Sequence, residues 1–246
     1  MVKNNKETVL LMLSGGLDSF LSACKLIEDG YNIKMVSYDN GCTYGSDNIK
    51  IAADRIIKKY GEDRAEYFGS YKTAGVVREF FFPYFNMTPA KQQEEYDGLT
   101  PSQFHCLICR MGMYIYSIWI CKKYDIHYIA EGARKSQEFV IELPGMIKER
   151  IPALLKDNGI ELLLPVYEME DDWERSNELL ARGFVPIANE GKCLIGVPVN
   201  GSIDESVVSG VHKYYDRVIL NKIKELDLLN EDNYNRYLDL KYDELK

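Results

Sequence analysis

Short apolar runs alternate with longer amphipathic stretches along most of the chain. Residues 8–13 are mostly apolar and stop just before a glycine pair, as a strand buried on both faces does. Over 18–29 the apolar residues Phe20, Cys24 and Ile27 recur at helical spacing, and Gly30 ends the run, so a helix is predicted there. The strand pattern returns at 32–38. A helix pattern follows at 49–60, with Ser46-Asp47-Asn48 as its start signal. A short third strand is predicted over 65–68 and a helix over 74–84. The polar stretch 86–103 reads as an irregular insertion. Residues 110–124 are apolar almost all round, which predicts a deeply buried helix. Strands are expected at 126–130 and 161–166, helices at 146–156 and 171–181, and a small extended segment at 185–188.

Strand and helix in alternation predict an α/β fold with a doubly wound, mostly parallel, five-stranded sheet of Rossmann-like type over 1–201. The patterns at 202–229 and 231–246 are charged helices broken at Asn230, read as a C-terminal helical appendage (202–246) for packing or a homodimer contact. Ligands of such sheets lie off the carboxyl ends of the strands. Functional residues are therefore expected in the segments 14–19, 39–45, 69–73, 131–137 and 165–170.

Composition narrows the classes. A chain of 246 residues can bury a substantial core, and 46% hydrophobic with 28% charged residues is ordinary for a globular domain. No apolar run is seen to approach the ~18 residues of a membrane span, and residues 1–7 lack the apolar segment of a signal peptide, so a cytoplasmic protein is expected. The net charge of -8 disfavours a broad nucleic-acid surface. Arg134-Lys135 and Lys148-Glu149-Arg150 are the local basic candidates.

The turn after the first strand, Ser14-Gly15-Gly16-Leu17-Asp18-Ser19, has the makings of a phosphate cradle. A glycine pair lets backbone N–H groups face a concave turn, and the following helix adds its N-terminal dipole. Ser14 and Ser19 can add hydroxyl donors. Asp18 can cap the helix or help hold Mg2+. No lysine-bearing P-loop and no Gly-x-Gly-x-x-Gly is present. The stretch resembles the SGGxDS signature of the PP-loop ATP pyrophosphatases, over about residues 8–200. That resemblance implies a HUP, Rossmann-like domain in which Ser14, Gly15, Gly16, Asp18 and Ser19 grip the pyrophosphate end of ATP. It also implies cleavage between the α and β phosphates and adenylation of an acceptor. Ser37 and Asp39, at the end of the second strand, stand where related enzymes contact the adenosine.

Six cysteines in a chain of this length, without an export signal, suggest metal, catalytic or buried thiols rather than disulfides. Cys106 and Cys109 form a C-x-x-C just before the buried helix, where the dipole would favour thiolates. Cys193 lies in a turn-like setting far along the chain. A PP-loop, a C-x-x-C and a distant cysteine resemble the cluster-dependent tRNA 2-thiocytidine and 2-thiouridine synthetases. The resemblance implies a 4Fe–4S cluster on Cys106, Cys109 and Cys193, with its fourth iron open to sulfur. The alternatives are a Zn2+ site completed by a residue such as His105, or a redox pair. Cys24 and Cys121 are read as buried and inert, Cys42 as a sulfur carrier or a plain loop residue, and His127 as a core residue within a strand. The acidic motif usual after the fourth strand in such enzymes is absent. Gly132 is kept, and Arg134 and Lys135 could bind phosphate instead. The expected activity is an ATP-dependent sulfurtransferase, acting on a tRNA base or a small molecule and served by a sulfur-donor protein. Its rivals are an AMP-forming ligase or amidase using ammonia beside structural zinc, and an ATP-binding module without turnover.

Overall fold

Strand β1 (Thr8–Met12) runs through the middle of a five-stranded sheet, and its side chains alternate between two cores. This arrangement comes from a computed structural model that describes residues 7–97, 99, 101–137, 140–195, 205–230 and 232–233. After β1 come α1 (Leu17–Glu28), β2 (Asn32–Asp39), β3 (Thr43–Tyr44), α2 (Ile49–Tyr60), β4 (Ala65–Lys72) and α3 (Ala74–Phe85). They are followed by α4 (Pro89–Tyr96), α5 (Pro101–Tyr124), β5 (Tyr128–Ala130), α6 (Ile151–Lys156) and β6 (Glu161–Leu163). The chain continues through α7 (Asp172–Ala181), β7 (Lys192–Cys193), α8 (Glu205–Tyr214) and α9 (Leu220–Glu225).

The sheet order is β4-β2-β1-β5-β6 with every pair parallel, so the doubly wound, Rossmann-like α/β expectation holds. Val9 and Leu11 face one core with Phe20, Ile56 and Leu179, contributed by α1, α2 and α7. Leu10 and Met12 face the other, with Met111 and Ile115 of α5. Both faces of β1 are covered, which is why residues 8–13 read as almost unbroken apolar sequence. Leu10 and Leu11 are fully buried, and truncating either to alanine should cost about 2–5 kcal/mol.

Several boundaries differ from the sequence pattern. Strand β4 extends to Lys72, because a bulge at Phe68 and Gly69 (φ of 100°) lets the ladder continue past the glycine. The stretch 86–103 is not irregular throughout. Thr88 Oγ accepts the N–H of Lys91 at 3.4 Å and Pro89 opens α4. Helix α5 starts at Pro101, well before Arg110, so its first turns were hidden in polar sequence. Strand β6 stops at Leu163, and no strand forms at 185–188; the small second sheet is instead the antiparallel pair β3–β7. His127 is exposed beside Asp125, just ahead of β5, rather than in the core. Against the expectation that no apolar run approaches a membrane span, α5 is long and apolar enough to cross a bilayer by length and composition. Most of it is buried inside the fold, as a core helix is.

The C-terminal helices are present and share the sheet domain's core. A wide π turn, Tyr215–Ile219, joins α8 to α9. Val211, Tyr214 and Ile223 pack with Tyr84, Phe104 and Trp119. The Tyr214 hydroxyl donates to the Phe80 carbonyl at 2.6 Å. The start of the first expected tail helix, 202–204, and nearly all of the second, 231–246, lie outside the described residues.

Candidate active site

The chain turns to one side of β1 through β2 and to the other through β5, which opens a crevice at the carboxyl ends of β1 and β5. The Ser14–Ser19 turn fills its mouth. Gly15 has a φ of 80°, and a Cβ there would lie 2.6 Å from the carbonyl oxygen of Asn189, whose own N–H donates to the Gly15 carbonyl at 2.8 Å. Left-handed backbone and close approach together require glycine. The Ser14 N–H donates to Ser19 Oγ at 3.2 Å, the Gly16 N–H to Ser14 Oγ at 3.2 Å, and Ser19 Oγ to the Gly16 carbonyl at 3.1 Å. Gly16 is the N-cap of α1 and no side chain caps it, so Asp18 is not the cap its position suggested. Gly132 closes the crevice from the β5 side. A Cβ on it would stand 2.4 Å from the Ser19 nitrogen.

Asp18 is instead the hub of an ion-pair cluster. Its carboxylate lies 3.0 Å from Arg134 Nε and 2.8 Å from Arg175 Nη1, and accepts from Gln137 Nε2 at 3.1 Å. Asp172 takes the other ends of both guanidiniums, at 2.7 Å from Arg134 and 3.3 Å from Arg175. Arg134 is thus buried among carboxylates and does not line the cavity beside the loop. Arg175, on α7, was not singled out from sequence, since nothing local ties it to Asp18. Ser37 is buried with its hydroxyl 2.6 Å from that of Tyr67, and Asp39 accepts the Gly41 N–H at 2.8 Å; neither lines the cavity. Among the basic candidates, Lys135 pairs with Glu168 and Glu170, Lys148 with Glu168, and Arg150 with Asp216.

The cavity itself is about 340 Å3. Ser14, Gly16, Asp18 and Ser19 line it, and so do Cys106, Cys109 and Cys193. The loop and the three expected metal ligands therefore share one space. Cys193 is carried there by β7, which sets it opposite Thr43, while the Leu194 N–H donates to the Cys42 carbonyl at 2.9 Å. Cys42 comes beside Cys193 in this way without lining the cavity. Cys106 and Cys109 sit inside α5 rather than at its start, so the dipole argument for thiolates does not apply to them. Burial pushes Cys106 up to about 11 and Cys109 to about 12; Cys193 adds to both, and Arg110 opposes it. Burial likewise raises Cys24 to about 11 and raises Cys121, in keeping with inert core thiols. Asn40 was also missed from sequence. Its amide donates to Cys109 Sγ at 2.8 Å and its oxygen accepts the Cys42 N–H at 2.8 Å, which links the end of β2 to the cysteines. His105 is buried in the same wall, and burial lowers its pKa. Among the described residues, no three His, Cys, Asp or Glu side chains converge on a single ion.

Opposite the loop, Arg110 lies 3.3 Å from Glu131 and 3.1 Å from Glu142, and all three line the cavity. Burial raises the Glu142 carboxyl to about 8, with Arg110 opposing the rise and Glu131 adding to it. Burial works against the Arg110 charge, but the two carboxylates outweigh it and hold the guanidinium protonated. Glu131 at the end of β5 and Glu142 further on thus share one cation, while residues 133–137 carry no acidic side chain, as expected. A larger groove, about 840 Å3, lies at the opposite edge of the sheet among Thr8, Lys34 and Tyr128. That edge holds the amino ends of the strands, away from the loops that gather at the carboxyl ends.

No curated protein matches the sequence. Among solved structures, a 4-thiouridine synthetase–RNA complex with bound ATP shares the fold, with a TM-score of 0.59 and 15% identity. The match covers 93% of this chain and 53% of that one, so the chain spans about half the length of that synthetase. More distant is a predicted tRNA methyltransferase subunit from Methanocaldococcus jannaschii DSM, with a TM-score of 0.41 and 15% identity over 80% of this chain and 100% of that one. NMN synthetase from Francisella tularensis gives a TM-score of 0.36 and 12% identity, covering 88% of this chain and 87% of that one. A family model described as thiamine biosynthesis protein (ThiI) matches residues 4–138, more than half of the chain. That span takes in the Ser14–Ser19 turn, the Cys106/Cys109 pair and Gly132, but not Cys193. The chain belongs to the ThiI family, within the PP-loop ATP pyrophosphatase superfamily.

Proposed function

We propose that this protein is an ATP-dependent sulfurtransferase that adenylates a ring carbonyl oxygen of an RNA base and replaces it with sulfur. The observation that carries this reading is the shared cavity: the pyrophosphate loop and three cysteines open on the same 340 Å3 space. ATP would seat its β and γ phosphates on the N–H groups of the glycine turn, the N-terminal end of α1 and the hydroxyls of Ser14 and Ser19. These groups favour negative charge, so they stabilise pyrophosphate as it leaves. Arg134 and Arg175 serve by fixing Asp18. The adenosine would lie toward Ser37 and Asp39 at the end of β2. The acceptor oxygen attacks the α phosphorus, and the resulting adenylate is a good leaving group. Sulfur then attacks the same ring carbon and AMP departs.

Of the two metal readings we take the 4Fe–4S cluster. A single zinc ion needs its ligands on bonds of about 2.0–2.3 Å around one point. Cys106, Cys109 and Cys193 line one cavity, and a 4Fe–4S cluster would take one thiol on each of three irons. Cys106, Cys109 and Cys193 would hold it, and the Asn40 amide that donates to Cys109 Sγ is the kind of hydrogen bond that tunes such a centre. When bound, the cluster would supply an iron position for the transferable sulfur. Cys42, beside Cys193 on the β3–β7 pair, stands where a sulfur-donor protein could hand over its cargo. For an RNA acceptor, a groove of about 620 Å3 lined by Arg55, Lys58 and Lys59 reaches Asn189, the residue bonded to Gly15. The RNA-bound, ATP-bound 4-thiouridine synthetase of similar fold supports the same choice.

Iron and acid-labile sulfide measured after anaerobic purification test the cluster. Cys106→Ala, Cys109→Ala and Cys193→Ala should each lose most of the iron, while Cys121→Ala should keep it. A colourless protein with stoichiometric zinc would sink this part of the reading. RNA-dependent release of pyrophosphate from ATP tests the adenylation, and its absence with every RNA offered would overturn it.

A further inference from the structure

We infer that Glu131 is the base of the adenylation step, taking the ring N–H proton of the acceptor as its neighbouring carbonyl oxygen attacks ATP. The inference rests on the adenylation reading above and adds to it the group that receives the proton.

Placement is the first argument. Glu131 immediately precedes Gly132, whose backbone packs against the Ser19 nitrogen, so its position is tied to the pyrophosphate loop. Its carboxyl lines the ATP cavity from the opposite wall, beside Arg110 of α5 and Glu142. Incomplete bonding is the second argument. Glu131 is 1% exposed; beyond the Arg110 ion pair and the buried Tyr114 hydroxyl that lies against it, its side-chain oxygens accept no hydrogen bond, and Oε2 of Glu142 accepts none either. Buried carboxyl oxygens with unfilled acceptor capacity are expensive, and a purely structural site would gain by filling them or by replacing the cluster with apolar side chains. A ligand presenting an N–H to this wall would fill them.

Chemistry is the third argument. The oxygen of a ring amide is a poor nucleophile while the adjacent nitrogen keeps its proton. As the oxygen–phosphorus bond forms, the N–H electron pair becomes the new C=N bond and the proton moves to a Glu131 oxygen. The α-phosphorus–oxygen bond breaks at the same time, and its electron pair leaves on pyrophosphate. The products are the O-adenylated base, pyrophosphate and a protonated Glu131, with no oxidant or reductant involved. Arg110 Nη2 stands 3.1 Å from Glu142 and 3.3 Å from Glu131, so one guanidinium positions both carboxyls in this wall.

The test uses the full chain, ATP, a short uridine-containing RNA and the same RNA with N3-methyluridine at every uridine. Pyrophosphate release and ATP affinity are both measured. Wild-type protein should release pyrophosphate with the first RNA and not with the second, which has no proton to give. Glu131→Gln should slow release by about 100-fold or more with ATP affinity changed less than about twofold, and Glu131→Asp should restore part of the rate. Equal release from the methylated RNA, or a wild-type rate in Glu131→Gln, overturns the inference and leaves adenylation standing. If Glu131→Gln does not fold, the methylated RNA with wild-type protein decides. Wild-type protein that binds ATP but releases no pyrophosphate with any RNA overturns the adenylation reading itself, and this inference with it.

Discussion

One wall of the cavity is made of backbone and the other of side chains. The loop wall is a single run, residues 14–19, whose glycines, hydroxyls and N–H groups close on one another over a few residues. The opposite wall draws Asn40 from the end of β2, Cys106, Cys109 and Arg110 from α5, Glu131 and Glu142 from beyond β5, and Cys193 from β7. At Gly15 the first wall tolerates no added atoms, because its backbone meets that of Asn189. In the second, Cys109, Glu131 and Glu142 are buried and Cys106 half-buried, while Cys193 is exposed. Burial raises Cys106, Cys109 and Glu142 together in the second wall, whereas the loop is held by its own short-range bonds and by Asn189 against Gly15.

The sharpest way to break this contrast is at Gly132. Alanine there would drive a Cβ to 2.4 Å from the Ser19 nitrogen, so α1 or β5 must shift, and ATP affinity should fall by about 100-fold or the protein fail to fold. Gly41→Ala is the control. Its φ is 83°, but the space around it is open, so about 1–2 kcal/mol of backbone strain and unchanged ATP affinity are expected. Equilibrium binding of ATP and thermal melting read both.

Asp18→Asn comes next. It leaves Arg134 and Arg175 facing a neutral amide, and breaking such a largely buried cluster should cost of order 3 kcal/mol and lower the melting temperature. Cys193→Ala, on the exposed β7, should leave the metal-free melting temperature within about 2 °C while removing iron. If the two variants behaved alike, the distinction between an anchored carboxylate and an assembled thiol site would fail.

A smaller effect is expected from pH. Glu142 titrates at about 8 in the fold, where Arg110 and Glu131 face it, against an ordinary value of 4.5. The native state therefore binds more protons than the unfolded chain between those values, so stability falls as pH rises from about 4.5 through 8. Glu142→Gln should flatten that part of the profile, and denaturant unfolding at several pH values measures it. An unchanged slope would remove Glu142 as its source. The mildest probe is alkylation with iodoacetamide, followed by mass spectrometry. Exposed Cys193 should react first and half-buried Cys42 next, with Cys106 and Cys109 far slower at pH 8 because burial keeps them as thiols. Early labelling of Cys109 would contradict the closed wall.

Legibility followed the same division. The SGGLDS turn and the strand–helix alternation were readable because each depends on near neighbours in sequence. Gly69 cut β4 short on paper, since a glycine marks a break until a partner strand shows that it is a bulge. The polar start of α5 disguised the helix that holds Cys106 and Cys109, and so reversed the expected effect on their thiols. Arg175 and Asn40 had no local signal at all, and nothing local joins Glu142 to Glu131 and Arg110.

Periodicity, turn chemistry and residue spacing are local quantities, so the sequence by itself determined the layered sheet, the phosphate turn and the set of cysteines worth considering. Which groups meet, and in what protonation state, depends on crossovers that close long loops and on how much water each site excludes. Tertiary structure alone therefore decided that Cys193 joins Cys106 and Cys109, that Arg134 turns to Asp18 instead of to the cavity, and that Arg110 stands between Glu131 and Glu142.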